Sequence, residues 1–389
     1  MSETLWSAQD GELGQVWEAA VAASGGVFRD AVTTYLDVQP GGTTVAAEVD
    51  AVWPDRGRAT ETFAASTSRR ARGALRMSDG VREIGVWRFP HDPALPGLAR
   101  ACDASRIRAL LEGLGVDVSE ARLSMHAYRP LRRAVIEVRT PSASIFVKAL
   151  RPDRVEGVHL LHRAASGTRM PESLGWTDDG LLVLAGLGGR SLRDVLLEGD
   201  PSGIDPAEFV EVLGELPAEF VARGTRPGWG EKARHYAEVV SAILPSAGPT
   251  AHAIAEAVSV PTDSPQVPVH GDFYETQLLI TGTSVTGLLD IDTAGAGDPY
   301  DDPACLLGHL AVLAQLRPDR AHVIEEFAAR CLAEFERRLD PEPLRARVAA
   351  VVLSLATGAH RVADTDWPAV LRARLALAVH WCPGTSAAA

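Results

Sequence analysis

Apolar positions along the chain follow two rhythms, and the change between them divides it into three regions. Alternation with a period of two marks Thr33 to Val38, Thr43 to Val52 and Gly85 to Phe89 as strands, after a short opening helix. The Gly41-Gly42 pair and the Pro-Asp-Arg-Gly run at 54 to 57 supply turns. The proline-bearing stretch His91 to Gly97 reads as a connector into a helix near Ser105 to Leu114. Residues 1–115 therefore form an N-terminal accessory module of mixed α/β character. Residues 116–185 read as a small sheet: strands at Leu123 to Tyr128, Ala134 to Arg139 and Ser144 to Leu150, with a turn at Arg129 to Arg133. An amphipathic helix follows from Val155 to about Ala165, with Val155, Val158, Leu160 and Leu161 on its apolar side, and Gly180 to Ala185 makes a buried strand.

From Gly186 to Cys382 the period becomes helical. Helices are expected from Ser191, across Pro206 to Ala222, and near 303–315, 318–339, 342–359 and 367–382. Two strands interrupt this region, at Val267 to His270 and Val285 to Asp290. Residues 383–389 are expected to be a flexible tail.

Composition narrows the classes of function. The chain has 389 residues, enough for two or three structural units. Its 51 acidic side chains outnumber 38 basic ones, for a formal charge of -13, which argues against a phosphate-binding surface for nucleic acid. A cationic small substrate is compatible with that balance, although acidity of this kind mostly serves solubility. The short basic run Ser68 to Arg72 reads as a solvated face. Four dispersed cysteines, Cys102, Cys305, Cys331 and Cys382, have neither disulfide-framework nor zinc spacing. With no signal-like start and no long apolar run, the expected location is the cytoplasm, without membrane association.

The chemistry-bearing residues gather in one stretch of the third region. Phosphoryl transfer asks for an oriented hydroxyl, divalent metal on the polyphosphate and positive charge near the phosphates. In Val267 to Ile280, the loop His270-Gly271-Asp272 offers Asp272 as catalytic base. Five positions later Gln277 stands where the kinase pattern His-x-Asp-x-x-x-x-Asn has its metal-binding amide. Eighteen positions after Asp272, an apolar strand ends in Asp290 and Asp292 before a glycine-rich turn. That gap suits an antiparallel excursion turning at Thr281 to Ser284, returning Asp290 beside Gln277. Oxygen donors of this kind favour Mg2+. Asp292 reads as a further metal ligand or as an exposed acid.

These residues resemble the aminoglycoside phosphotransferase family, a branch of the protein-kinase-like fold that includes choline, homoserine and sugar kinases. His270-Gly-Asp272 resembles its catalytic loop, and Leu289 to Asp292 with Gly297-Asp298-Pro299 and Asp302 resembles its metal-loop block. Val147-Lys148-Ala149 resembles the nucleotide-binding lysine of the third strand, and Leu182 to Leu192 resembles the hinge. The resemblance spans roughly 120–382 and implies an α+β, bilobal protein-kinase-like fold, with a small β-rich N-lobe and a large helical C-lobe, behind the added N-terminal module. It implies an ATP- and Mg2+-dependent kinase acting on a small-molecule hydroxyl acceptor such as an aminoglycoside. Lys148 would meet the phosphates and Glu156 pair with it, with Asp153 as fallback. Gln277 and Asp290 would hold metal.

Two departures shape the reading. Gln277 replaces the usual Asn, as in the maltokinase-like sugar kinases, which also carry an N-terminal extension; this favours a sugar or aminosugar acceptor. Acidic residues on the C-terminal helices, Glu325, Glu326, Asp364 and Asp366, favour an aminoglycoside instead. The turn at Arg129 to Arg133 lacks a glycine-rich phosphate cover, leaving Arg132 or Arg133 to meet phosphate or simply to face solvent. His270 is expected to be structural, its imidazole bonding the metal-loop backbone, and Asp298 and Asp302 to be turn and helix-cap residues. A catalytically inactive nucleotide-binding regulatory module, with Gln277 as the lesion, is the alternative from another class.

Overall fold

The structure, a computed structural model, describes residues 10–39, 42–78, 83–118, 120–141, 143–259, 264–359 and 366–383. Gly41 of the expected turn, Asp364 and residues 384–389 of the expected tail lie outside them. The chain separates into two compact units, one of residues 1–159 with 173–186, the other of residues 160–172 with 187–389.

The first unit opens with helix α1 (Asp10–Ala23) and strands β1 (Val27–Gln39), β2 (Gly42–Trp53), β3 (Gly57–Ser66), β4 (Leu75–Ser78) and β5 (Glu83–Arg88), all antiparallel in the order β1-β2-β3-β5-β4. On α1, Trp17, Ala20 and Val21 recur at helical spacing and pack on Val45, Val49, Ala51 and Trp53 of β2 and Phe63 of β3. Ala46 points to the other face and joins Ala64, Ala71, Trp87 and Leu131 in a separate apolar cluster. Because both faces of β2 are covered, its buried run is continuous from Thr44 to Ala47, which masks the simple alternation. Arg69 and Arg70 of the basic run are exposed, as expected of a solvated face.

Helices α2 (Leu98–Ala101) and α3 (Ala104–Gly113) lead into a second five-stranded sheet. Its strands are β6 (Arg122–Arg129), β7 (Arg133–Arg139), β8 (Ser144–Ala149), β9 (Ser173–Trp176) and β10 (Leu181–Ala185), ordered β6-β7-β8-β10-β9, with helix α4 (Pro152–Ala164) between β8 and β9. Ile145, Val147 and Ala149 of β8 face Ile107 and Leu111 of α3. Phe146 faces the opposite way, with Val155 and Val158 of α4. Leu160 departs from the expected apolar side of α4: it is 42% exposed, whereas Val155, Val158 and Leu161 are buried.

The turn between β6 and β7 is gripped by residues that precede the sheet within the same unit. Buried Asp92 accepts from the Leu131 amide at 2.8 Å, the Tyr128 hydroxyl at 2.9 Å and the Ala94 amide at 2.8 Å, while Trp87 Nε1 donates to Tyr128. Leu131 adopts a left-handed φ of 61° inside the Ala46 and Trp87 cluster. Arg132 stands 3.5 Å from the carboxylate of Asp37.

The second unit contains β11 (Arg190–Ser191), α5 (Leu192–Glu198), α6 (Ala207–Gly214), α7 (Trp229–Ile243), α8 (Gly248–Ala257), β12 (Val267–Val269), β13 (Leu278–Thr281), β14 (Ser284–Leu288), β15 (Gly295–Gly297), α9 (Asp301–Leu316), α10 (Ala321–Glu336), α11 (Pro341–Ala356) and α12 (Trp367–Trp381). The Ser191 hydroxyl caps α5 by accepting from Asp194 N. Helix α11 is buried almost all round, with Val348 to Leu353 fully enclosed, as befits a central bundle helix. Small sheets β11-β13-β14 and β12-β15 lie among these helices. The α+β class expected from the sequence, strand-rich in the first unit and helix-rich in the second, is therefore the fold observed. Among the described residues no helix is long and apolar enough to cross a membrane, and all four cysteines are free thiols.

Candidate active site

Two loops of the second unit carry most of the predicted chemistry, and backbone geometry stitches them together. Val267 to Val269 pair antiparallel with Gly295 to Gly297, so the segment leaving β12 starts beside the segment entering β15. Between them, β13 and β14 form a hairpin closed by Gly282 and Thr283, with Leu278 opposite Leu288. Gly282 takes the positive φ of 64° that so short a turn requires. The hairpin returns the chain as expected: Leu289 N donates to Gln277 O at 2.8 Å, which sets Asp290 next to the end of the loop that begins at His270.

His270 ties the loops through its side chain. Its Nε2 donates to the Leu289 carbonyl at 2.8 Å, and Asp272 N lies 3.2 Å from Nδ1, the lone-pair nitrogen. Full burial holds this imidazole neutral, with its pKa lowered to about 4, against the Leu289 bond and the charges of Asp290 and Asp292. The scaffolding role expected of His270 is therefore the one it plays. Thr293 Oγ1 adds a second tie, donating to His270 O at 3.1 Å.

Gly271 is a backbone necessity. Its φ is +79°, and a Cβ there would lie 2.4 Å from Nη1 of Arg226, whose stem crosses Gly295. Arg226 reaches this position because its amide bonds Ala296 O at 2.9 Å, adding residue 226 beside β15. Burial lowers the guanidinium pKa, opposed by the nearby charges of Asp302, Asp272 and Asp301.

Asp302 corrects an expectation. It lies inside the first turn of α9, but its carboxylate does not cap that helix. Oδ2 accepts from His270 N at 2.6 Å and Oδ1 from Gly271 N at 2.7 Å, so it caps the backbone of the loop. Burial raises its pKa to about 7, opposed by those two amides. Asp298 behaves as a turn residue, accepting from Tyr300 N at 3.0 Å.

Asp290 sits at φ 61° and ψ 49°, a left-handed conformation that Asp tolerates better than most residues, at the mouth of the short turn Ile291–Thr293. Gln277 is 7% exposed, and Asp272 and Asp290 are half-buried. These three predicted residues thus share one stitched frame. Among the described residues no group of three or more His, Cys, Asp or Glu forms a metal cluster.

Lys148 belongs to the first unit. It is 7% exposed on β8, pairs in register with Val135 and Leu182, and by strand alternation shares the face of Phe146. Glu156, the acid expected to pair with it, and Asp153 are both exposed on α4, whose covered side carries Val155 and Val158. Glu325 and Glu326 are exposed on α10, and Asp366 accepts from Ala369 N at 3.2 Å as the cap of α12.

A model of the phosphotransferase enzyme family, APH, matches residues 147–351, more than half of the chain. The chain belongs to this family. No curated protein sequence matches it. Among solved structures, a thermostable mutant of aminoglycoside phosphotransferase APH(4)-Ia is similar at 18% identity and a TM-score of 0.49, over 72% of this chain and 99% of that one. A choline kinase from Cryptosporidium parvum is similar at 10% identity and a TM-score of 0.48, over 72% and 95%. Aminoglycoside phosphotransferase APH(3'')-Id from Streptomyces rimosus is similar at 21% identity and a TM-score of 0.44, over 65% and 98%.

Proposed function

We propose that the protein transfers the γ-phosphate of ATP, with Mg2+, to a hydroxyl of a small polar molecule of the aminoglycoside kind. The observation that carries this reading is the stitched frame presenting Asp272, Gln277 and Asp290 together, in a chain of the phosphotransferase family. Asp272 orients the acceptor hydroxyl and takes its proton, a contribution of about 10²–10⁴-fold for a positioned base. Asp302, Gly271 and His270 hold that carboxylate's backbone in place. Lys148, on its own unit, meets the phosphates as a point charge. Glu156 is the proposed partner of that lysine.

The donor set fits magnesium. Gln277 and Asp290 offer only hard oxygens, and Mg2+ characteristically takes one or two protein ligands and completes its shell with water and substrate phosphate. Bound there, it would neutralise charge on the polyphosphate. The residue pattern of Gln277 with an N-terminal module supports a second reading, a sugar or aminosugar acceptor. The solvated positions of Glu325 and Glu326 and the capping role of Asp366 favour it further.

A phosphorylation screen over aminoglycosides, free sugars and amino alcohols, with the phosphate located on the product, tests both readings. Asp272→Ala should abolish turnover and leave nucleotide binding nearly intact; retained phosphorylation would sink the assignment. A wild type that binds ATP without Mg2+ and never hydrolyses it would instead mark a regulatory nucleotide-binding module.

A further inference from the structure

The loop from His270 to Gln277 holds a second acid, Glu275, that the proposed reaction does not use. It lies three residues after Asp272 and two before Gln277, and it is 1% exposed. Its Oε1 accepts from Nη1 of Arg193 at 3.1 Å. Its Oε2 has no hydrogen-bond partner. His309 Nδ1 stands 3.9 Å away, beyond bonding distance, and burial lowers that imidazole pKa to about 4, with the charge of Arg193 acting in the same sense. Burial raises the Glu275 pKa in turn, opposed by its own amide and by Arg193. An acid enclosed in this way costs stability, and apolar side chains of similar volume often replace a buried ion pair without loss.

What Glu275 supplies is a fixed point beside Gln277. Arg193 grips it twice, since the Arg193 amide also donates to Glu275 O at 3.1 Å. Arg193 is in turn held by its neighbours: it is the second residue of α5, and the two residues before that helix, Arg190 and Ser191, pair with Ile280 and Leu279 of β13. Backbone on both sides of Gln277 is therefore tied to one short stretch, residues 190–193. Between the ties, Gln277 N closes a turn on Tyr274 O at 2.9 Å, and Tyr274 stacks on His309 with ring centroids 4.2 Å apart. We propose that Arg193 is a positioning residue: by bonding Glu275 it fixes the backbone from which Gln277 reaches the metal. The inference rests on the reading of Gln277 as a metal ligand. Loss of a group that orients a ligand typically weakens metal binding by about 10–100-fold.

Two variants of Glu275 separate this role from a merely structural one. Glutamine keeps the shape and an oxygen for Arg193; leucine fills the site without an acceptor, and the Arg193 side chain, 39% exposed, can then turn to solvent. The measurement is Mn2+ binding, followed by electron paramagnetic resonance in the presence of a non-hydrolysable ATP analogue, alongside urea unfolding. Glu275→Leu is expected to weaken Mn2+ binding by about 10–100-fold, with an unfolding midpoint at or above that of the wild type. Glu275→Gln should stay near the wild type in both. A stably folded Glu275→Leu that binds Mn2+ as the wild type does would overturn the proposal. Should that variant unfold early, Arg193→Met combined with Glu275→Leu removes the pair without leaving a lone charge. The combined variant must fold stably and still bind Mn2+ about 10–100-fold more weakly; if it also unfolds early, the pair serves stability and the proposal falls. Its loss of binding must also not equal the sum of the losses in Arg193→Met and Glu275→Leu, since contacting residues couple; full additivity counts against the proposal in the same way. Mn2+ binding that Gln277→Ala leaves unchanged would instead bring down the metal reading beneath it.

Discussion

Replacing Asp302 by alanine should release the catalytic loop from below, and the size of the effect follows from the two hydrogen bonds it makes. The carboxylate accepts from His270 N at 2.6 Å and Gly271 N at 2.7 Å in a site where Asp302 is 3% exposed. Alanine leaves both amides facing a space without an acceptor. Each orphaned donor costs about 1–3 kcal/mol, so the pair costs about 2–6 kcal/mol. Part is returned because a desolvated carboxyl, held near a pKa of 7, is no longer buried. A net loss of about 3 kcal/mol is therefore expected, a large share of the roughly 5–15 kcal/mol that keeps a domain folded. Urea unfolding gives the magnitude, and amide exchange at His270 and Gly271 localises it. Turnover should fall more steeply than stability, since a displacement of about 1 Å at a reacting group costs on the order of 10²-fold. A loss below about 1 kcal/mol, well under the lower bound for two orphaned donors, with unchanged exchange at those amides, would refute the account of how this loop is held.

The same burial makes two neighbouring groups titrate in opposite senses. His270 is lowered from 6.5 to about 4, so its contribution to stability is present above pH 6.5 and lost as pH falls toward 4; Asp302 is raised from 3.8 to about 7, so its contribution is present below pH 3.8 and lost as pH rises toward 7. Urea midpoints measured between these limits should rise with pH in Asp302→Asn and fall with pH in His270→Asn; slopes of the same sign in both would contradict the assignment. In the first unit, Asp92→Ala removes the acceptor for Leu131 N, Tyr128 Oη and Ala94 N. A loss of about 2–4 kcal/mol is expected, with faster amide exchange across residues 129–133. An unchanged rate at Leu131 would show that the apolar cluster around Trp87 holds the turn without Asp92.

What was legible in the sequence followed the range of the interactions involved. Strands β6 to β8 and β10 were readable because each is a short apolar run between turn residues. The four C-terminal helices were readable because their periodicity extends over several turns. Strand β3 was missed: its Thr60 to Thr62 stretch is polar and partly exposed, and only Phe63 to Ser66 is fully covered. Strand β9 is four residues long and gains its identity from pairing with β10. Strand β2 was itself legible, and only the burial of both its faces from Thr44 to Ala47 was not, because the turn at Leu131, far along the chain, covers the second face.

The site divides along the same line. Asp272, Gln277 and Asp290 could be placed together from spacing alone, since a single hairpin connects them and a two-residue turn fixes its register. His270 could be assigned to scaffolding because its partner, Leu289, closes the same hairpin. Arg226 and Asp302 come from outside that hairpin, and nothing local announces them. Asp302 looked like a cap because it opens a helix, and only the approach of residues 270 and 271 turns its carboxylate to another use. His162 of α4 falls seven residues after Val155 and four after Val158, the spacing of the buried face. That spacing is a signal in itself: a polar residue on the covered side of α4 must find a partner, and His162 meets the Pro171 carbonyl at 2.7 Å through Nδ1. Glu156, one position out of phase with that face, is exposed.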